Sequence, residues 1–533
     1  MKELPNIMDS HLICATYRVQ GTAAEAARMA SAVIYEQTVE LPPEQVAGTP
    51  AEACVGHIEA IFPDPEQIGA QRVHIDFPVD LACGQLGQLF NLLYGNISMY
   101  RGIRLLDANL PDSLLSNWNG PRYGSEGLRR LTGVHGRPLL ATAVKPRGLP
   151  LTELAALAGA FALGGGDVVK DDQNLVHRDF DGFRTHVDAC ADAVERANAA
   201  TGRRCLYLPH LSGPDPELER RAEYIQQRGL VGALLCPLVL GLDRARALAE
   251  RYQLLFMAHP ALSGAYTNGY QEGISHAVLL GTLFRMAGAD ISVFPSPGGR
   301  FDVNDNECKS IATALQKPLA GLTSALPAPG GGLQTEQVED LADRYGTEAV
   351  WLLGGSLHGA AGGIEAGTRR LLEAMKTYFE EQLEEPEAAW VSACELPASG
   401  ERADIRNLLP VSDDFNWAAR ENRRYKISEA LPFRGVRRVE LVGKQGEPCS
   451  FELRYFELEP GGYTSLEKHV HTHVLIGARG EGLVIMDEER VALKPDDIAY
   501  VAPLQVHQLR NECDQPFGFY CIVDKDRDRP MSP

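Results

Sequence analysis

From Pro138 onward the chain repeats one texture: a short apolar run rich in Val, Leu and Ile, a polar or glycine-rich turn, then a helical pattern rich in Ala and Leu. Eight such runs occur: LLATAVK ending at Lys145, DVVK at Lys170, CLYLPH at His210, GALLCP at Pro237, LLFMAH at His259, ISVFP at Pro295, TSALPAP at Pro329 and VWLLGG at Gly355. Consecutive strand–helix units in that number predict a (β/α)8 barrel. Barrel chemistry sits at the C-terminal strand ends. Those ends carry Lys145, Lys170, Asp172, His210 and His259, with glycine clusters after strands seven and eight.

Before the barrel, residues 1–133 mix strand-like runs (HLICATYRV, QRVHIDFPV, GIRLLDANL) with helical stretches such as TAAEAARMASAVIYEQ, which predicts an α+β domain. The barrel is expected over 134–395 and a linker rich in charge, Pro and Gly over 396–430. Over 431–533 the runs RRVELVG, CSFELRYFELEPGG, EGLVIM, DIAYVAP and FGFYCIV predict a small all-β barrel or sandwich.

Composition narrows the function classes. The excess of 71 acidic over 51 basic residues, a formal charge of −20, disfavours nucleic acid and anionic membranes as partners, so a phosphate site must be built locally. No apolar run approaches the length of a membrane span. The eleven cysteines are scattered without CxxC pairs and read as reduced core residues of a cytoplasmic protein.

Two strand-end lysines in one barrel mouth repel, so one is expected to be perturbed or chemically capped. A deprotonated lysine can add carbon dioxide to form a carbamate, an anionic oxygen ligand, and Asp172 beside it is a second hard oxygen suited to magnesium. The rival reading is that Lys170 is a plain cation neutralising Asp171 and Asp172.

The segments VKPRG (144–148), GGGDVVKDDQN (164–174), AHPALSGAY (258–266) and LLGGSLHGAAGGIEAG (352–367) together resemble the large subunit of RuBisCO, and more closely the RuBisCO-like proteins that do not fix carbon. IYEQTVELP, YGNIS, GPRYGSEGLRRLTGV and RMAGADISVFPSPGGRF extend the resemblance over residues 10–380. It implies that Lys145 is the strand-one catalytic lysine, Lys170 the carbamylated lysine, Asp172 a magnesium ligand and His259 a contact to substrate hydroxyls. It also implies a phosphate-binding backbone at Gly331, Gly332, Gly354 and Gly355, and a homodimer in which Asn96 and Glu36 complete the partner's site.

The departures are specific. Gln173 stands where an acidic ligand is expected, FPSPGGRF lacks the family's loop lysine, and Gly330 replaces a serine. Without the loop lysine, carboxylation is not expected. Arg300 in the altered loop is either a surface turn residue or a new phosphate ligand.

In the C-terminal domain, GGYTSLEKHVHTHVLIGARGEG spaces His469, His471 and His473 at period two, which predicts three imidazoles on one strand face, and PLQVHQLRN adds His507. Such a set suits manganese, iron, nickel or zinc. The pattern resembles the cupin family. His469 and His471 match its HxH, Leu475 occupies the usual glutamate position, and Pro503, His507 and Asn511 match its second motif; His473 is expected to replace the missing carboxylate.

The stretch from ELRYFELEPGG to FGFYC, with Cys521, looks like the cupins associated with RuBisCO-like proteins in methylthio-sugar salvage. The resemblances imply a relay. The barrel would isomerise 5-methylthioribulose 1-phosphate to 1-methylthioxylulose 5-phosphate, and the cupin, with a small thiol, would remove the methylthio group towards 1-deoxyxylulose 5-phosphate. Two alternatives stay open: decarboxylation or hydrolysis of a 3-oxo sugar-acid phosphate, with Arg147 or Arg300 as carboxylate clamp, and a phosphosugar-binding barrel with chemistry only in the cupin.

Overall fold

The computed structural model describes residues 11–381, 411–412, 415–417, 422–424, 432–443, 451–469, 471–487 and 489–524. The chain divides into two compact units, Met1–Gln382 and Leu383–Pro533.

In the first unit, β1 (Leu12–Gln20), β2 (His57–Pro63), β3 (Ala70–Pro78) and β4 (Ile103–Asn109) form an antiparallel sheet in the order β4-β1-β3-β2. Strict alternation along β1 buries Ile13, Ala15, Tyr17 and Val19 on one face. The helix Ala23–Thr38 buries Ala26, Ala30, Val33 and Ile34, one stripe at helical spacing. It starts where Thr22 and Glu25 satisfy each other's backbone amides in a capping box.

The barrel follows as β5 (Leu139–Val144), β6 (Val168–Asp171), β7 (Leu206–Leu208), β8 (Gly232–Leu235), β9 (Leu255–Ala258), then the two-residue β10 (Gly273–Ile274), β11 (Ile291–Pro295), β12 (Leu326–Gly330) and β13 (Val350–Leu352). Eight of these are parallel neighbours in the order β7-β6-β5-β13-β12-β11-β9-β8, and a bridge between His210 and Leu234 closes the ring. Every strand expected from the apolar runs is present. Leu139, Val168, Leu234, Met257, Ile291 and Leu326 fill its interior.

β10 leaves the barrel and pairs in parallel with β4, adding a fifth strand to the N-terminal sheet. Arg104 on β4 donates to the carbonyls of Thr267, Gly269 and Glu272 beside it. The segments expected as separate domains at residue 133 therefore share a sheet inside one compact unit.

The second unit is antiparallel throughout. Its strands are β14 (Asn422–Arg424), β15 (Arg434–Val442), β16 (Phe451–Tyr463), β17 (His473–Arg479), β18 (Gly482–Met486), β19 (Glu489–Leu493), β20 (Ile498–Val501), β21 (His507–Arg510) and β22 (Phe517–Asp524). Their order is β19-β18-β21-β16-β22-β17-β20, with β15 on β16 and β14 on β15. Phe456, Leu458, Leu475, Val484, Phe517 and Phe519 form the core of this barrel-like sheet.

The linker expected at 396–430 lies mostly outside the described residues. Its described part corrects that expectation, because β14 pairs with β15 and the rings of Phe415 and Trp417 lie 5.4 and 5.0 Å from that of Tyr455. These aromatic side chains bury more apolar area against the sheet than a solvated linker would. Among the described residues no helix is long and apolar enough to cross a membrane, and none of the nine described cysteines is in a disulfide.

Candidate functional site

Lys170 lies in β6, only 2% exposed, and its Nζ donates to the Asp171 carbonyl at 3.0 Å. Burial pushes its amine down to about 8, with Lys145 acting in the same sense and the Asp172 and Asp171 carboxylates opposing. The two acids that follow it have different jobs.

Strand alternation turns the Asp171 side chain away from that of Lys170. There it accepts from Tyr207 Oη at 3.0 Å and from the His210 backbone amide at 3.1 Å, and it pairs with His186 Nε2 at 2.9 Å. Burial alone would drive His186 down, but Asp171 overrides it and holds the imidazolium up to about 10. Asp171 itself is held below the usual carboxylate range: burial opposes this, and His186 with the other donors outweighs it. No local motif marks this pair, since His186 lies on the helix Phe180–Thr201 and only the fold brings it to Asp171.

Asp172 is half-buried and accepts from the Asn174 amide at 2.9 Å through one oxygen, leaving the other without a protein partner among the described residues. Gln173 is half-buried, and its amide makes no hydrogen bond among them. These are two oxygen donors suited to magnesium. With Lys170 protonated the set fits poorly; with Lys170 as a carbamate it fits.

Around Lys170 the other strand ends converge. Lys145, at the end of β5, fills the space beside Gly354, where a Cβ would lie 2.5 Å from its Nζ. His358, in the turn after Gly355, contacts the Ala143 carbonyl through Nε2 at 3.0 Å, so that nitrogen carries the proton. His259 accepts the Ala261 amide on Nδ1 at 3.2 Å, which leaves its proton on Nε2. Burial, reinforced by Lys170 and His210, pushes His259 down to about 3, so it is neutral at pH 7. His210 is likewise driven down to about 4 by burial, and its Nε2 lies 3.7 Å from Cys236 Sγ.

The strand-seven glycines are packed by the altered loop. The Arg300 amide donates to the Gly331 carbonyl at 3.0 Å, and a Cβ on Gly332, whose φ is +137°, would lie 2.7 Å from Gly299 Cα. Arg300 itself is exposed, its guanidinium 5.7 Å from the Phe301 ring centre, and Arg147 is exposed as well. Neither forms a buried carboxylate clamp. Asn96 donates to Glu36 at 2.9 Å and to Glu40 at 3.3 Å; neither Asn96 nor Glu36 is hydrogen-bonded to the barrel-mouth residues.

In the second unit, His469, His473 and His507 bring ring nitrogens within 4.8 Å of one another. His469 Nδ1 lies 2.8 Å from the His471 carbonyl and His507 Nδ1 2.9 Å from the Gln505 carbonyl. A carbonyl only accepts, so both Nδ1 atoms carry protons, and with neutral rings both Nε2 atoms present lone pairs. Those Nε2 atoms face each other at 3.2 Å, and His471 and His473 Nε2 atoms stand 3.1 Å apart. Bonds of about 2.0–2.1 Å to one tetrahedral ion would place two imidazole nitrogens about 3.4 Å apart. The donors fit a divalent transition ion, with the carbonyls fixing the tautomers.

One expectation fails locally. β17 begins at His473, so His469 and His471 do not share its face; the His471 carbonyl is engaged by the His469 ring instead of a neighbouring strand. Leu475, at the usual carboxylate position, is core. Cys521 Sγ lies 3.7 Å from His473 Nδ1 and receives Arg454 Nη2 at 3.4 Å. Arg454 was not singled out by sequence, because a lone arginine in an alternating strand reads as an outward-facing residue.

Comparison with known proteins agrees with this division. The model of the ribulose bisphosphate carboxylase large chain catalytic domain matches residues 124–396, and that of the cupin domain matches 454–523. A ribulose bisphosphate carboxylase-like protein 1 of Rhodopseudomonas palustris is 37% identical, covering 65% of this chain and 93% of that one. The 5-methylthioribulose-1-phosphate isomerase of Rhodospirillum rubrum is 36% identical over 64% of this chain and 90% of its own. The crystal structure of a Rubisco-like protein from Rhodopseudomonas palustris superposes with a TM-score of 0.63 at 34% identity, covering 69% of this chain and 99% of that one.

Proposed function

Since this chain belongs to the ribulose bisphosphate carboxylase large-chain family and carries a C-terminal cupin domain, we propose that its barrel isomerises 5-methylthioribulose 1-phosphate to 1-methylthioxylulose 5-phosphate. The observation that carries the reading is Lys170: a buried lysine brought down to about 8 has roughly a tenth of its amine unprotonated at pH 7, against well under a thousandth for an exposed lysine. That amine can add carbon dioxide and present oxygens beside Asp172 and Gln173. Magnesium, when bound there, would supply a positive charge facing the ketose carbonyl. A relative that is 36% identical over 64% of this chain and is named as the isomerase for that substrate supports the choice.

The chain's own groups have distinct tasks. Lys145, confined by Gly354, and the Lys170 nitrogen or carbamate are the proton carriers next to the carbonyl, while neutral His259 offers an Nε2–H to a substrate hydroxyl. The backbone at Gly331, Gly332, Gly354 and Gly355 holds the phosphate. Arg300 sits beside the first of these pairs and is a reserve cation for it. The protein works as a homodimer, with Asn96 and Glu36 completing the partner's site.

The cupin binds a divalent transition ion through His469, His473 and His507, with His471 beside them, and removes the methylthio group. Replacing that group by hydrogen is a two-electron reduction. Two molecules of a small thiol supply it: one hydrogen goes to the sugar carbon, one to methanethiol, and the thiols leave as a disulfide.

The test is incubation with 5-methylthioribulose 1-phosphate in deuterated water. The expected result is the isomer with solvent deuterium at the enolised carbon, then methanethiol once thiol is added. Tight binding with neither exchange nor isomer would leave a phosphosugar-binding barrel, the reading that Gln173 favours because it removes one negative charge from the ion's site.

A further inference from the structure

Among the described residues of the second unit, Arg454 is the one buried lysine or arginine. It lies on β16 opposite Glu440 on β15 and Cys521 on β22, and Cys521 in turn lies opposite Leu475 on β17. Cys521 and Leu475 are core, so Arg454 points into the barrel, where it keeps 8% exposure, as does His471.

A guanidinium there needs acceptors, because a buried unpaired charge is costly. Among the described residues Arg454 has none of the usual kind: no carboxylate of theirs lies within salt-bridge distance, Nε is buried without a partner, and Nη2 reaches only the Cys521 sulfur. The Phe456 ring, 5.2 Å away, is a weak substitute. Glu440, which faces it across the strands, is paired with Arg438 at 3.2 Å, and Glu452 lies two residues away on the same strand. Arg454 is two contacts from the imidazole cluster, through Cys521 to His473.

We infer that Arg454 is the anchor of an oxyanion site inside the cupin barrel, binding the phosphate or carboxylate of a small anionic substrate and setting that substrate beside the metal. Guanidinium suits this task because its planar fork makes charge-assisted bonds to two oxygens at once. The reading of the cupin as a phosphosugar enzyme bears only on which anion it is.

The test uses the full chain loaded with Mn2+ and then equilibrated with excess Mg2+, which replaces manganese at an oxygen-rich barrel site and leaves it on imidazoles. Saturable broadening of the 31P signal of inorganic phosphate is expected in the wild type. R454M should weaken phosphate binding about tenfold, with R454K intermediate. Competition by acetate at equal concentration would mark a carboxylate site, and indifference to it a phosphate site.

Broadening unchanged in an R454M protein that keeps its manganese would overturn the inference, as would no saturable broadening in the wild type. If R454M loses manganese, R454K decides, and phosphate affinity equal to wild type in that variant counts against the anchor. Isomerisation by the barrel, assayed in the same samples, fails or survives independently.

Discussion

The Nε2 atoms of His469 and His507 face each other at 3.2 Å, each ring holding its Nδ1 proton against a backbone carbonyl, so that as neutral imidazoles they oppose two lone pairs. Two lone pairs at that distance repel unless a cation lies between them. The purified protein should therefore carry about one transition ion per chain in its second unit. H469A and H507A should each lose it by elemental analysis, and a chelator should lower the melting temperature of the wild type but not of either variant.

At the barrel mouth, G354A tests the position of Lys145. The added methyl meets the tip of a flexible side chain, so stability should change by no more than about 1 kcal/mol while turnover falls about tenfold or more. Chemical denaturation and steady-state rates on one preparation separate the two. Equal losses in both would show that Gly354 matters only for folding.

Lys170 makes pH and carbon dioxide informative. Its folded pKa, about 8, lies below the unfolded value near 10.4, so the unfolded chain binds more protons between those limits. Stability contributed by this group should therefore rise as pH goes from 8 to 10.4 and be flat below 8. K170M, which removes a buried charge, should be more stable than wild type at pH 7 yet inactive, and bicarbonate should stimulate the wild type.

In the Asp171–His186 pair the histidine acts in the opposite sense and the aspartate in the same one. His186 is raised, so its stabilisation is complete below the unfolded value near 6.5 and is lost as pH rises through about 10; Asp171 is lowered, so its stabilisation is complete above the unfolded carboxylate value and is lost as pH falls through the folded one. H186L leaves a buried carboxylate with one donor fewer and should cost about 3–5 kcal/mol at pH 7. Urea titration of H186L and D171N against wild type measures it, and a loss under 1 kcal/mol would mean the pair is dispensable.

Q173E restores an acidic ligand to the barrel. Magnesium affinity, followed by calorimetry in the presence of bicarbonate, should rise about tenfold. Unchanged affinity would favour the plain salt-bridging lysine.

Much of this arrangement was legible in the chain because it depends on short-range order. The eight apolar runs match the eight barrel strands, since each is a few residues of β-branched or aliphatic side chains between breakers, and the segments 144–148 and 164–174 carry the strand-end lysines. What escaped was contact made only by closure of the fold. His186 sits one helix away from Asp171, and Arg454 points inward only because β22 and β17 lay Cys521 and Leu475 alongside it. The histidine spacing also misled locally: period two fits a strand, but a side chain that captures a backbone carbonyl removes that carbonyl from any ladder.

The short strand β10 ties the N-terminal sheet to the segment that follows His259. Arg104 grips that segment by three carbonyls, so the sheet cannot tilt without dragging the strand-five end with it. The two halves of this unit are therefore a poor place for a hinge. A chimera that exchanged the N-terminal sheet for another, while keeping the barrel, would have to import the partner of residues 264–274 as well or lose the seat of its own histidine.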